Sequence, residues 1–267
     1  MNIKSVVTFS IIGISLLACD NEKKSFSNDN SDIVKEEIKE EPTEAEKWVS
    51  EAINAHGGEQ YKTAHFQFVF RGDYYQFKND GDHFYYQKKV ASNLGEEQIT
   101  HIIENGDYTY LVNNKEKELD LKQTEIFKEA LNSVIYFVTL PSKLSDPAVI
   151  IDHKGETFIN DTAYQLIVIQ FKKENGGKDF EDQYLYWINH ETKEVDYLAY
   201  SYKDDKGGGT RFRKAYNKRK VDGIIFQDYI NYKGEPGIDL YILAEQYEKR
   251  ELEELSRIET ENVKSLK

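Results

Sequence analysis

An apolar run from Val6 to Leu17, preceded by Lys4 and closed by the only cysteine of the chain, constrains everything downstream. It is too short to span a bilayer comfortably, since a spanning helix needs about 20 apolar residues. It has the length of the apolar core of a secretory leader. Its end, Leu16-Leu17-Ala18-Cys19, looks like a lipobox: a branched residue, a tolerated residue, a small residue and then the cysteine to be acylated. The expectation is cleavage before Cys19, loss of residues 1–18, and lipid on Cys19. A single acyl chain gives only marginal membrane binding, whereas two or more anchor firmly. With Cys19 committed to lipid, no cysteine remains for an internal disulfide, so the domain that follows must stand on packing alone.

After Cys19 the composition changes abruptly. Residues 20–42 are rich in Asn, Ser, Lys, Asp and Glu, too polar to offset the entropy of ordering. Residues 19–42 therefore read as an acylated cysteine and acidic tether, whose flexible span is roughly 25–30 Å. From residue 43 the chain is long enough for one domain with a real core. The formal charge of −13 argues against nucleic acid, which needs a basic surface, and against docking on anionic lipid by charge. With 19 Tyr and 14 Phe against one Met, the composition suits strands with wet outer faces.

Hydrophobic period divides the domain. Thr43 and Glu46 form a capping box, and Trp48, Val49, Ala52, Ile53 and His56 follow at helical spacing up to Gly57-Gly58. His56, in the last turn, suits the negative end of the helix dipole. Alternating segments then predict strands over 65–71, 73–78, 82–90, 98–104 and 108–112, with Asn105-Gly106 as a hairpin turn. Thr124, Ile126, Phe127, Ala130, Leu131, Val134, Ile135 and Phe137 switch to helical spacing. One helix inserted in mid-sheet covers a face or mouth of that sheet rather than crossing it. Strands resume over 163–173, 183–189, 195–203, 210–217, 224–232 and 238–246, with turns at Asn175-Gly176-Gly177 and Gly207-Gly208-Gly209 among others. Short turns between regular strands predict an antiparallel meander. The last twenty residues are charged and fit a final strand around 255–258, a helix or a frayed tail, with residues 259–267 read as a charged tail.

Little in the chain resembles catalytic or metal chemistry. The six histidines carry no paired metal-ligand spacing; His65, His83 and His101 fall on neighbouring strands and are the set that proximity can bring together. No nucleophile elbow occurs, and among 48 acidic residues none pick out a glycosidase pair. No cofactor or metal is expected, and no enzyme activity. Gly207-Gly208-Gly209 joins two strands, so it is a hairpin tip and not a phosphate loop. In Arg211-Phe212-Arg213, alternation puts both arginines on one face and the ring on the other. If Phe212 faces the core, the arginines are solvated; if the arginines face inward, they can hold an anionic head group.

Two resemblances extend this reading. The segment Tyr186-Trp187-Ile188-Asn189-His190-Glu191-Thr192-Lys193-Glu194-Val195 resembles a hairpin of LolA/LolB-like lipoprotein carriers, although Asn189 stands where an acid is usual and no proline follows Thr192. Lys220-Val221-Asp222-Gly223-Ile224 is similar to a later hairpin of that fold. A family of uncharacterised Bacteroidota lipoproteins is resembled over most of residues 44–258, through Ala55-His56-Gly57-Gly58, Asn132-Ser133-Val134-Ile135-Tyr136-Phe137, Asp182 with Trp187, Gly207-Gly208-Gly209 with Arg211-Phe212-Arg213, and Val221-Asp222-Gly223. The resemblances imply an α+β, mostly antiparallel β domain over residues 43–258: a strongly curved open sheet or half-barrel with an N-terminal helix and an inserted helical lid. Phe127, Leu131, Val134, Ile135 and Phe137 are then the lid residues, with Arg211 and Arg213 as further ligand contacts. The implied function is non-covalent binding of a lipid or acyl chain by a protein held in the envelope of a Gram-negative bacterium, at the outer membrane. The alternatives are an interaction lipoprotein that docks an envelope protein through its sheet, and a hydrolase acting on glycan or lipid.

Overall fold

The computed structural model describes residues 41–172, 183–202 and 208–267. Cys19 with its leader and nearly all of the tether, and the turn at Asn175-Gly176-Gly177, lie outside the described residues. The domain opens as its sequence dictates. Helix α1 (Glu44–His56) starts at Thr43, whose side chain accepts from the Glu46 amide while the Glu46 carboxylate accepts from the Thr43 amide. It stops at Gly57, where φ is 151° and a Cβ would meet Ile224 at 3.0 Å.

Two seven-stranded antiparallel sheets follow. The first is ordered β14-β1-β2-β3-β4-β5-β6, with β1 (His65–Phe70), β2 (Asp73–Asp80), β3 (His83–Lys89), β4 (Ile99–Glu104), β5 (Asp107–Val112) and the short β6 (Lys115–Glu116) as a simple meander. Helix α2 (Leu121–Val138) then intervenes. The second sheet is ordered β13-β12-β11-β10-β9-β8-β7, with β7 (Val149–Ile159), β8 (Thr162–Phe171), β9 (Tyr184–Asn189), β10 (Val195–Tyr202), β11 (Gly209–Val221) and β12 (Ile224–Gly234). The expected antiparallel architecture, with an N-terminal and an inserted helix, is what forms; its strands are divided between two sheets.

Three elements differ from expectation. Strand β7 was not legible, because Asp152-His153-Lys154-Gly155 interrupts its pattern; a register shift between His153 and Glu156 absorbs the interruption. Residues 238–246 do not form a strand. A single 3-10 turn at Leu240–Ile242 leads into helix α3 (Leu243–Glu248), and Leu240, Leu243 and Ala244 bury themselves against the outer face of the second sheet. The charged end is largely strand: β13 (Glu253–Ile258) pairs with β12, and β14 (Glu261–Ser265) pairs with β1.

Packing follows strand alternation. On the first sheet, Phe66, Phe68, Tyr75, Phe77, Tyr86 and Ile103 meet Leu131 and Ile135 of α2. On the inner face of the second sheet, Ile167, Ile169, Tyr186, Ile188 and Leu198 meet Val49 and Ala52 of α1 and Leu140 and Leu144 beyond α2. On its outer face, Leu185, Trp187, Ala199 and Phe212 pack under residues 240–244. The second sheet is thus covered on both faces, which explains the near-continuous apolar runs of β8 and β9.

The sheets meet where the chain passes from β13 to β14. Asp228 of β12, 2% exposed at its side chain, holds this seam. Its Oδ1 accepts from the Thr260 amide at 2.9 Å and the Thr260 hydroxyl at 3.2 Å. Arg219 pairs with the same oxygen at 3.1 Å and also donates to the Thr260 carbonyl, while Asn217 donates to Oδ2 at 2.6 Å. Asn217 and Arg219 lie in the register shift of β11 between Tyr216 and Arg219, so the strand's irregularity supplies the carboxylate's donors. Removing one member of a buried ion pair costs about 3–5 kcal/mol. Asp228→Ala should lose that much in urea unfolding, with Asp228→Asn between it and the native chain; a loss below about 1 kcal/mol would show that the seam does not depend on this carboxylate.

Candidate functional site: an arginine among aromatic rings

The residues singled out by sequence fall into three places. Leu131 and Ile135 are buried in the core between α2 and the first sheet, and Val134 packs at its border. Phe127, 36% exposed, lies nearer the start of α2, its ring 5.0 Å from that of His101 and 6.4 Å from that of Tyr110. Phe137, at the other end of the helix, meets Arg213, whose guanidinium carbon is 4.1 Å from the ring centroid. Arg211 lies one inward-facing position before Arg213 on β11.

Both faces of β11 are covered here, so neither alternative for Arg211-Phe212-Arg213 holds alone. Phe212 is fully buried on the outer face, and Arg213 is nevertheless only 8% exposed on the inner one. Arg213 is not solvated, and Arg211 is partly buried. Arg213 Nη2 donates to the Tyr200 hydroxyl at 2.5 Å, while its Nε and Nη1 have no hydrogen-bond partner. Among the described residues no carboxylate pairs with it. Asn231, opposite on β12, leaves its own Oδ1 unpartnered. Arg211 donates to the Tyr202 hydroxyl at 2.7 Å and to the Thr210 carbonyl at 2.8 Å.

Around Arg213 the rings close a circuit. Phe137 to Tyr200 is 5.6 Å, Tyr200 to Tyr184 is 5.5 Å, Tyr184 to Phe171 is 5.7 Å, Phe171 to Tyr136 is 6.5 Å and Tyr136 to Phe137 is 5.5 Å between centroids. Three adjacent strands and the last turn of α2 supply it. Burial raises the Tyr200 phenol, against a lowering effect of Arg213, so its hydroxyl stays neutral and accepts from the guanidinium. Sequence reasoning found Phe137 and the arginines but missed Tyr136, Phe171, Tyr184 and Tyr200. Only strand register reveals that these residues face one another.

His65, His83 and His101 do not converge. His65 meets Gln76, His83 meets Asn105, and His101 meets Tyr108 at 2.7 Å. Among the described residues no group of three or more His, Cys, Asp or Glu is placed to hold a metal ion. His56 is not a charged cap at its helix end: it is fully buried, and its Nε2 accepts from the Val195 amide at 3.1 Å. Burial, then Lys218, lower its pKa to about 4, against a raising effect of Asp196. A surface groove of about 340 Å³, lined by Lys78, Asp80, His83, Phe84 and Glu104 among others, includes none of the lid residues and neither Arg211 nor Arg213.

His101 links the start of α2 to the first sheet through Phe127, and burial lowers its pKa to about 4, with Lys88 adding to the shift and Asp73 opposing it. Its ordinary value is near 6.5, so the unfolded chain takes up the proton first. His101 and His56 therefore stabilise the fold fully above pH 6.5, and this contribution is lost as pH falls towards 4, since unfolding then binds protons. Unfolding free energy should drop over that window, and His101→Gln should flatten the dependence. An unchanged pH profile in that variant would overturn the assignment.

The chain belongs to DUF6503, a family of unknown function, whose model matches residues 33–260. No curated protein matches it. Among solved structures it is similar to a LolA superfamily protein from Nitrosomonas europaea, at 8% identity and a TM-score of 0.46, covering 84% of this chain and 94% of that one. It is also similar to a DUF1329 family protein from Desulfovibrio piger, at 12% identity and a TM-score of 0.37, covering 83% and 93%.

Proposed function

We propose that this DUF6503 member is an exported lipoprotein, anchored through Cys19 in the outer membrane of a Gram-negative envelope, that binds the acyl part of an amphiphile beneath helix α2. One observation carries the reading. Along the 18 residues of α2 only Leu131 and Ile135 are fully buried, while Leu121 and Ile126 remain 86% and 50% exposed. In the first half of the helix, Lys128 donates to the Gly106 carbonyl and Phe127 lies against His101 and Tyr110. Segments with few buried apolar contacts open at low cost. Opening α2 uncovers the part of the first sheet that it lies across, with Tyr86 of β3 and Ile103 of β4, a face on which each methylene of a bound chain contributes about 0.8 kcal/mol. The lid's own side chains fill that space in the closed state, so ligand and lid compete for it.

A second reading, docking of an envelope protein, has edge strand β7 in its favour. It leaves Ile150 and Phe158 exposed, one on each face, and an exposed edge is a template for strand addition.

Residues 41–267, which contain all three hydrophobic clusters, should leave a bacterial periplasm with a stoichiometric amphiphile detectable by native mass spectrometry. Recovery of an empty domain that also ignores a fluorescent fatty acid would turn the reading towards β7 and a protein partner. For the anchor, the full chain should incorporate labelled palmitate and sediment with membranes, and Cys19→Ser should abolish both. Label retained by that variant would remove the lipobox assignment.

A further inference from the structure

We propose that Arg213 is the receptor for the oxyanion head group of that amphiphile, a carboxylate or phosphate, with the Phe137 ring occupying the place beside the guanidinium until the ligand arrives. The proposal rests on the acyl-binding reading above and adds the head-group chemistry.

Arginine keeps its charge under all ordinary conditions, and a buried charge is costly unless paired. Arg213 is buried on a sheet face beside Leu198 and Tyr200, with Asn231 opposite and no carboxylate against it among the described residues, yet two of its three nitrogens lack a partner. The contacts it does make are of the kind that tolerate exchange. The Tyr200 hydroxyl takes one Nη2 proton, and the Phe137 and Tyr200 rings lie against the guanidinium at 4.1 and 5.0 Å. A ring face offers only quadrupole attraction, whereas an oxyanion makes charge-assisted hydrogen bonds of about twice the strength of neutral ones. Nε and Nη1 lie on different edges of the guanidinium, so an incoming anion can pair with either of them without displacing Tyr200 from Nη2. The chain carries a formal charge of −13, so its long-range field does not gather anions, and selection for a head group has to come from a local cation. Arg211, two residues earlier on the same face, donates to Tyr202 and adds positive charge at the same end of the sheet.

Phe137 belongs to the last turn of α2, the helix proposed as the lid. One displacement of α2 therefore frees the apolar face of the first sheet for the chain and the guanidinium on the second for the head. An amphiphile matches both, whereas a free anion matches only one.

The test compares palmitic acid with 1-hexadecanol on residues 41–267 by competition against a fluorescent acyl probe at pH 8, with inorganic phosphate as a third competitor. Expected are binding of both chains, a preference of tenfold or more for the acid, no displacement by millimolar phosphate, and loss of the preference in Arg213→Gln with hexadecanol affinity unchanged. Equal binding of acid and alcohol by the native chain overturns the head-group assignment and leaves the acyl-binding reading standing. Binding of neither removes both. Displacement by phosphate alone makes the site a free-anion site and also overturns the proposal. Should Arg213→Gln fail to fold, Arg213→Lys carries the residue test, because it keeps the charge but loses the Nε donor: a preference cut threefold or more supports the role of Arg213, and an unchanged preference refutes it.

Discussion

A buried carboxylate holds the two sheets together. Asp228 sits where β12 hands over from the second sheet to the hairpin tip that serves the first, and Ile224 and Phe226, just before it, already belong to the first sheet's core. The short crossing from β13 to β14 would expose buried backbone groups if left to itself. Asp228 ties it down by accepting from the amide and hydroxyl of Thr260, while Arg219 takes the Thr260 carbonyl. The final strands thus cover two sheet edges at once, β12 on one side and β1 on the other, and neither is left as a bare template for association.

Helix α2 imposes the second constraint because it serves both sheets. Leu131 and Ile135 belong to the core of the first, whereas Phe137 and Tyr136 close the aromatic circuit on the second. The helix cannot move as a unit without unpacking both, and its two ends contact chemically different surfaces: a histidine and a tyrosine at Phe127, a guanidinium at Phe137. The second sheet can lend an inner face to such a contact because its outer face is independently packed under residues 240–244.

What the sequence discloses and what it hides divides along the range of the interactions. The Thr43–Glu46 box, the Asn105-Gly106 hairpin and the apolar stripe of α2 involve neighbours within a turn or a hairpin, and they are legible. The partner of β14 is β1, nearly the whole domain away in sequence, and Glu261, Asn262 and Lys264 carry the polar pattern of an edge, so the segment reads as a tail. Residues 238–246 mislead for the opposite reason: Leu240, Leu243 and Ala244 are apolar because they cap a sheet face, not because they alternate within one. Arg213 was visible as an inward or outward choice, but that choice presumed one covered face. A sheet packed on both sides allows Phe212 and Arg213 to be buried together, and only cross-strand register, Arg213 opposite Leu198 and Asn231, shows which rings surround the charge.

The pairing of β1 with β14 also sets an order of events. A chain made N-terminus first presents β1 early, together with the hairpins that follow it, but its partner β14 comes after every other strand of both sheets. Until then the meander from β1 to β6 is open at both edges, β1 as well as β6, and Phe66, Phe68 and Phe77 depend for cover on elements not yet made, among them Ile224 and Phe226 of the β11–β12 hairpin. The C-terminal strand works as a clasp fastened last. Pairing of β14 with β1 is therefore a report that every other strand of the domain has already been made, and a chain cut just before Glu261 keeps all seven strands of its second sheet while β1 stays bare.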